Sequence, residues 1–201
     1  MFKILEGILE NRAAVIGILV GVGILFLLLL FAIWWIRVKN TLRRGLEKIS
    51  EADSSIGIAL TKRYDALTKM LGTVKGYAKH EAETLIGVIQ MRGGVSPKEM
   101  TIDEKQEFAS QLTRAVSGLN VVFEKYPELK ASQHFAQFNA TIINIEDNLE
   151  ATRRIYNSNV SRINQMIVSF PTSMVAHSMH LERQKFFQAE EEKRQDVKVE
   201  F

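Results

Sequence analysis

The sequence predicts an all-α protein: a single N-terminal transmembrane helix followed by an elongated antiparallel bundle of three long helices with a partly docked C-terminal tail. Three observations lead there. Residues 13–36 form an uncharged, almost wholly apolar run, AAVIGILVGVGILFLLLLFAIWWI. Beyond it the apolar residues recur at steps of three and four, the period of one helix face. Only three prolines fall within 201 residues, and there is little of the strict alternation that marks half-buried strands. The expected organisation is a short outer N-terminus over 1–12, the span over 13–36, a helical bundle over 37–170 and a tail over 171–201.

As a helix the apolar run covers about 36 Å, enough for a hydrocarbon core of about 30 Å with some tilt. It exceeds the roughly 7–15-residue core of a cleaved signal peptide. It also ends in Trp34-Trp35, side chains that settle at a membrane–water interface. Lys3 and Arg12 precede the span, whereas Arg37, Lys39, Arg43, Arg44 and Lys48 follow it closely. Basic residues beside a span stay on the cytoplasmic side. A single-pass membrane protein with its N-terminus outside and residues 37–201 in the cytoplasm is therefore expected. The tryptophans and these five cations form a candidate membrane-interface set, with membrane lipids as the partner. Phe2, Leu5 and Leu9 have the spacing to lie on the outer interface.

The bundle follows in order. Leu42, Leu46, Ile49, Ile56 and Leu60 share one face, interrupted by Asp53. Tyr64, Leu67, Leu71, Val74, Ala78, Leu85 and Val88 continue it after one extra four-residue step, and Gly93-Gly94 is expected to end the helix. Gly57, Gly72, Gly76 and Gly87 mark close approach or weak points. Ser96-Pro97-Lys98-Glu99 reads as a capping box with proline at the first helical position. The second helix then carries Phe108, Leu112, Ala115, Leu119 and Val122 to a break at Tyr126-Pro127. The third starts near Leu129-Lys130. Its face runs Phe135, Phe138, Ile142, Ile145, Leu149, Thr152, Tyr156, Val160, Ile163, Ile167, Phe170, and Pro171 closes it. The second helix is too short to cover the other two. Leu42, Leu46, Ile49, Ile56 and Leu60 thus become a candidate self-association stripe. The tail is expected to be of low order, anchored by Phe186-Phe187.

Asparagine is a poor helix former, because its amide competes for backbone hydrogen bonds. Asn157 and Asn164 nevertheless sit seven residues apart, each directly after a stripe residue. That spacing puts both at one edge of the third helix's face. They are expected to fix the register of the third helix on the first through an inter-helix polar network with Arg63, Tyr64, Asp65 and Tyr77. Asn159 is out of phase with both and reads as solvated.

Three stretches, KRYDALTKMLGTVKGYAKHEAETL, YPELKASQHF and RRIYNSNVSRINQMIVSFP, together resemble the LemA family of bacterial membrane proteins. The resemblance covers nearly all of residues 40–201. It implies an N-terminal anchor, a long helical bundle in the cytoplasm and an outer N-terminus; it implies no particular biochemical activity. Ile163-Asn164 stands where the family has a second Tyr-Asn, Thr68-Lys69 where it has proline and asparagine, and His180-Leu181 near a familial Gly-Phe.

The function classes narrow accordingly. With no cysteine, disulfides, cysteine zinc sites and thiol catalysis are excluded. Lys3, Arg12, Glu6 and Glu10 cancel, so the net charge of +3 is spread over the remainder, unlike the concentrated field of a nucleic-acid binder. His80, Glu81 and Glu83 point in different directions on a helix. His177 and His180, near Glu182, have ligand spacing only if helical, and Arg153-Arg154 lacks a phosphate-binding loop. Neither a cofactor nor catalysis is expected. The expected role is a membrane-anchored scaffold that self-associates as a homo-oligomer. The alternative is an adaptor presenting its groove or tail to a protein partner.

Overall fold

The computed structural model describes residues 2–76 and 96–188, with side chains from residue 14 onward. It is helical in the way the periodicity predicts. The helices are α1 (Phe2–Val74), α2 (Ile102–Lys125), α3 (Pro127–Lys130), α4 (Gln133–Val168) and α5 (Thr172–Ser178). The expected end of the first helix at Gly93-Gly94 lies outside the described residues, as do Tyr77, Ala78, His80, Glu81, Glu83, Leu85, Gly87 and Val88. The chain divides into two compact units.

The first unit joins residues 1–44 to 166–182. Its part of α1 contains the one helical stretch among the described residues long and apolar enough to cross a membrane. Side chains from residue 14 to 33 are exposed, Trp34 and Trp35 are half-buried, and Val38 and Leu42 are buried. Phe31 contacts both tryptophans, with ring centroids 5.6 and 5.8 Å away. From the other segment, α5 contributes the buried Val175 and Ala176.

The turn after α5 is a Schellman motif. The His180 N–H donates to the His177 carbonyl and the Leu181 N–H to the Ala176 carbonyl, at 3.0 and 3.1 Å. His180 holds the left-handed position with φ 52°, which suits glycine far better than a residue with a Cβ. His180→Gly is expected to raise stability by about 0.5–1 kcal/mol, after the added freedom of the unfolded chain is subtracted. A rise in the denaturant midpoint at constant slope would show it.

The second unit, residues 45–165 and 183–201, contains the bundle. α4 is antiparallel to α1. A Cβ at Gly45 would run into the Ile163 side chain, the Asn159 amide reaches the Lys48 carbonyl at 3.3 Å, and Arg63 pairs with Glu146. α2 is antiparallel to α4, with Phe123 against Phe135 and Phe138 at its far end. It therefore runs in the same direction as α1, not against it as in a simple up-down-up order.

Two charged pairs cross this bundle. Lys105 is fully buried, with its Nζ 2.7 Å from a carboxylate oxygen of Asp53 and 3.3 Å from the Asp53 carbonyl. Arg63, also buried, donates to the Ala109 carbonyl at 3.3 Å as well as pairing with Glu146. The acidic interruption of the first stripe is therefore the counterion of a lysine inside the bundle.

Several boundaries differ from the sequence reading. Residues 97–100 form turns, and α2 begins at Ile102, capped by Thr101 and Glu104. Both S-P-K-E and T-I-D-E fit the capping pattern. The second is used: the Thr101 N–H and hydroxyl hold Glu104 at 2.7 and 2.8 Å, keeping its carboxyl below the usual range. The turn is instead laid against α1 at Gly57, where a Cβ would meet the Pro97 carbonyl at 3.0 Å. Gly72 faces open space. α3 and a break at Ala131-Ser132 precede α4. Thr152 is buried as the periodicity requires, whereas Phe170 is 81% exposed.

The candidate self-association stripe is corrected more deeply. Leu42, Ile49, Ile56 and Leu60 are buried within the single chain, and Leu46 is half-buried. α4 is 36 residues long, about 54 Å, and reaches back as far as Gly45 within its unit. The stripe is not an open surface.

Candidate functional site

α4 carries the most specific polar geometry among the described residues. Asn157 donates from its amide nitrogen to the Phe187 carbonyl at 2.8 Å, and its amide oxygen accepts from the Phe187 N–H at 2.8 Å. Asn164 repeats the pattern on Gln184, at 2.9 and 2.8 Å. Each side chain thus imitates one residue of a neighbouring strand, satisfying both backbone groups of the residue it faces. The spacing explains the pair. Seven residues of helix rise about 10.5 Å, and three residues of extended chain cover about 10 Å. Residues 184–187 run antiparallel to α4 in that extended form.

Neighbouring groups complete the clasp. The Tyr156 hydroxyl donates to the Lys185 carbonyl at 3.1 Å. The Arg153 guanidinium lies over the Phe187 ring, 4.6 Å from its centroid, a favourable cation–π arrangement. Phe187 is buried while Phe186 is not, so one of the two expected aromatic anchors serves. From α2, Asp103 pairs with Lys185 and the Gln106 side chain accepts from the Gln188 N–H at 3.0 Å.

Burial pushes the Tyr156 phenol up to about 12, with the Asp53 and Asp103 charges acting in the same direction. The unfolded phenol loses its proton near pH 10, so between pH 10 and about 12 the unfolded chain binds fewer protons than the folded one. Stability is therefore expected to fall with rising pH across that window. Tyr156→Phe should flatten that part of the stability–pH profile.

The structure brings some of the predicted network together and separates the rest. Asn157 and Asn164 do not bond Arg63, Tyr64 or Asp65; their partners are backbone groups of the tail. Arg63 does link helices, through Ala109 and Glu146. The Tyr64 ring stands 6.2 Å from that of Phe108, Asp65 is exposed, and Tyr77 lies outside the described residues. Asn159, read as solvated, bonds the Lys48 carbonyl. Arg153 was missed, since its partner is a tail phenylalanine with no periodic signal. At the membrane-interface set, Arg37, Arg43, Arg44 and Lys48 are exposed and Lys39 is half-buried. His177 and His180 are both exposed, and only the former lies in a helix. Among the described residues no group of three or more His, Asp or Glu is gathered for a metal.

A concavity, ≈ 890 Å³ in volume, opens between α1 and α4. Buried Ala59, Met70, Phe138 and Ile145 contribute its apolar lining, and Lys62 and Lys69 stand at its exposed margin.

The LemA family model matches residues 52–201. The chain is also similar to Protein LemA of Metamycoplasma hominis, 36% identical over 177 residues, covering 87% of this chain and 81% of that protein. An apolar N-terminal helix able to cross a membrane is consistent with membrane anchoring. With the matched region extending over most of its length, the chain belongs to the LemA family.

Proposed function

We infer that the chain is a membrane-anchored, non-catalytic adaptor whose working site is the clasp on α4, taking extended peptide segments. The observation that carries this is the paired Asn157 and Asn164 contact, directed entirely at backbone atoms. A site that reads main chain accepts extended segments of different sequence, with side-chain pockets adding preference. The arginine–phenylalanine contact supplies one such preference, an aromatic residue beside Asn157. The excess of basic residues directly after the apolar run supports an outer N-terminus and a cytoplasmic clasp.

The test is binding of a fluorescent peptide with the sequence of residues 181–201, measured by anisotropy. It is titrated into the full-length protein in mild detergent and into a chain ending at residue 180. Saturable binding that is strongest for the shortened chain, and weakened by Asn157→Ala with Asn164→Ala, is expected. Absence of binding to the shortened chain would overturn the reading.

A scaffold role is the second reading, on a different footing from the buried stripe. The clasp is occupied by this chain's own residues 184–187, and every further copy carries the same segment. Reciprocal exchange of tails would join copies without a new interface. A uniform assembly larger than one chain, reduced by the double asparagine variant, would favour it. A monomer at all concentrations would leave the adaptor alone.

A further inference from the structure

We propose that the turn between α4 and α5, with Val168, Phe170 and Met174 at its surface, dips into the headgroup–acyl boundary of the lipid bilayer. It would form a second membrane contact beside the transmembrane helix. This rests on the reading of residues 13–36 as a membrane span. It is independent of the clasp.

The argument stays within the first unit. Phe170 is 81% exposed, Val168 54% and Met174 49%, while Val175 and Ala176 on the same short segment are fully buried. The segment thus spends one apolar face on packing and leaves another uncovered. A cluster of this kind on a folded surface calls for a partner. The unit itself says which. Its other member is the N-terminal part of α1, bare of protein over residues 14–33 and covered only from Trp34 onward. Val38, the first buried residue after the exposed run 14–33, lies three residues beyond Trp35, about 4.5 Å along the axis. Residues 166–182 share a compact unit with this part of α1, and about 4.5 Å beyond the tryptophans is still inside the headgroup layer, roughly 5–7 Å thick on each side of the core.

The polar groups fit the same place. The Thr172 hydroxyl bonds the Met166 and Ser169 carbonyls at 2.7 and 2.9 Å, and the Ser173 N–H bonds the Ser169 carbonyl at 2.8 Å. Carbonyls left free where a helix ends are costly to remove from water, and here several are satisfied internally. Arg37, Arg43 and Arg44, exposed on the same unit, supply positive charge for anionic headgroups.

The chain contains no cysteine, so single spin labels can be placed cleanly. Phe170→Cys, Met174→Cys, Leu25→Cys and Val121→Cys are each labelled in the full-length protein. The variants are reconstituted in vesicles of phosphatidylglycerol and phosphatidylcholine. Relaxation by oxygen, which concentrates in lipid, is compared with relaxation by a water-soluble nickel chelate. Leu25 is expected to favour oxygen, Val121 the chelate, and Phe170 and Met174 oxygen by a smaller ratio than Leu25. Chelate-dominated relaxation at both Phe170 and Met174, with Leu25 in lipid, would overturn the proposal while leaving the span intact. Chelate access at Leu25 would overturn the span, and this proposal with it.

Discussion

Asn157→Ala combined with Asn164→Ala is expected to free residues 184–187 from α4 while leaving the helices folded. The pair of substitutions removes four hydrogen bonds, each contributing a net ~0.5–1.5 kcal/mol. The sum is about 2–6 kcal/mol, so the balance between docked and released tail moves by at least roughly 30-fold. Released backbone groups regain water, which is why the loss falls on docking and spares the bundle. The readout is the rate of tryptic cleavage after Lys185, which should rise by a similar factor. Asn157→Asp should have an intermediate effect at neutral pH. Its carboxylate still accepts from the Phe187 N–H but has no proton for the Phe187 carbonyl. An unchanged cleavage rate in the double variant would show that other contacts hold the tail.

Asp53→Ala is expected to destabilise the bundle by about 3–5 kcal/mol, because it leaves a fully buried ammonium without its counterion. The remaining partner, the Asp53 backbone carbonyl at 3.3 Å, cannot neutralise that charge. Asp53→Ala combined with Lys105→Met should recover most of the loss, since no charge is left buried and the methionine retains an apolar stem. Chemical denaturation of residues outside the membrane measures both. A single variant as stable as the parent chain would mean that the Lys105 ammonium reaches water at little cost. A double variant no better than the single one would place the stability in the lysine's stem contacts.

The helical plan was legible because periodicity needs only one chain segment at a time. The face from Phe138 through Thr152 to Ile163 was read residue by residue and is buried as read. What covers a face is a tertiary fact, and there the reading failed. Leu42 to Leu60 looked uncovered because the second helix is short, yet a 36-residue α4 is enough to extend along it. The asparagine pair shows the limit most sharply. Their seven-residue interval marked them as partners of one object at the stripe's edge, and that was visible. Such an interval fits a second helix, and it fits equally well every third residue of an extended strand. The object is held by its backbone, so nothing in the side chain of Gln184 signals the contact, and Phe187 was legible only as an aromatic anchor of the tail. Asp53 was visible as an interruption, but nothing in the periodicity marked Lys105 as its partner. In each case the sequence marked a demand for a partner without naming it.

The central claim is that α4 holds the tail by its main chain through Asn157 and Asn164. Amide hydrogen exchange at Gln184 and Phe187 in the full-length protein tests it most directly. Both N–H groups donate to asparagine oxygens at 2.8 Å. They should therefore be protected relative to the Phe186 amide, and should lose that protection in the double alanine variant. Exchange at the unprotected rate in the parent chain would contradict the clasp.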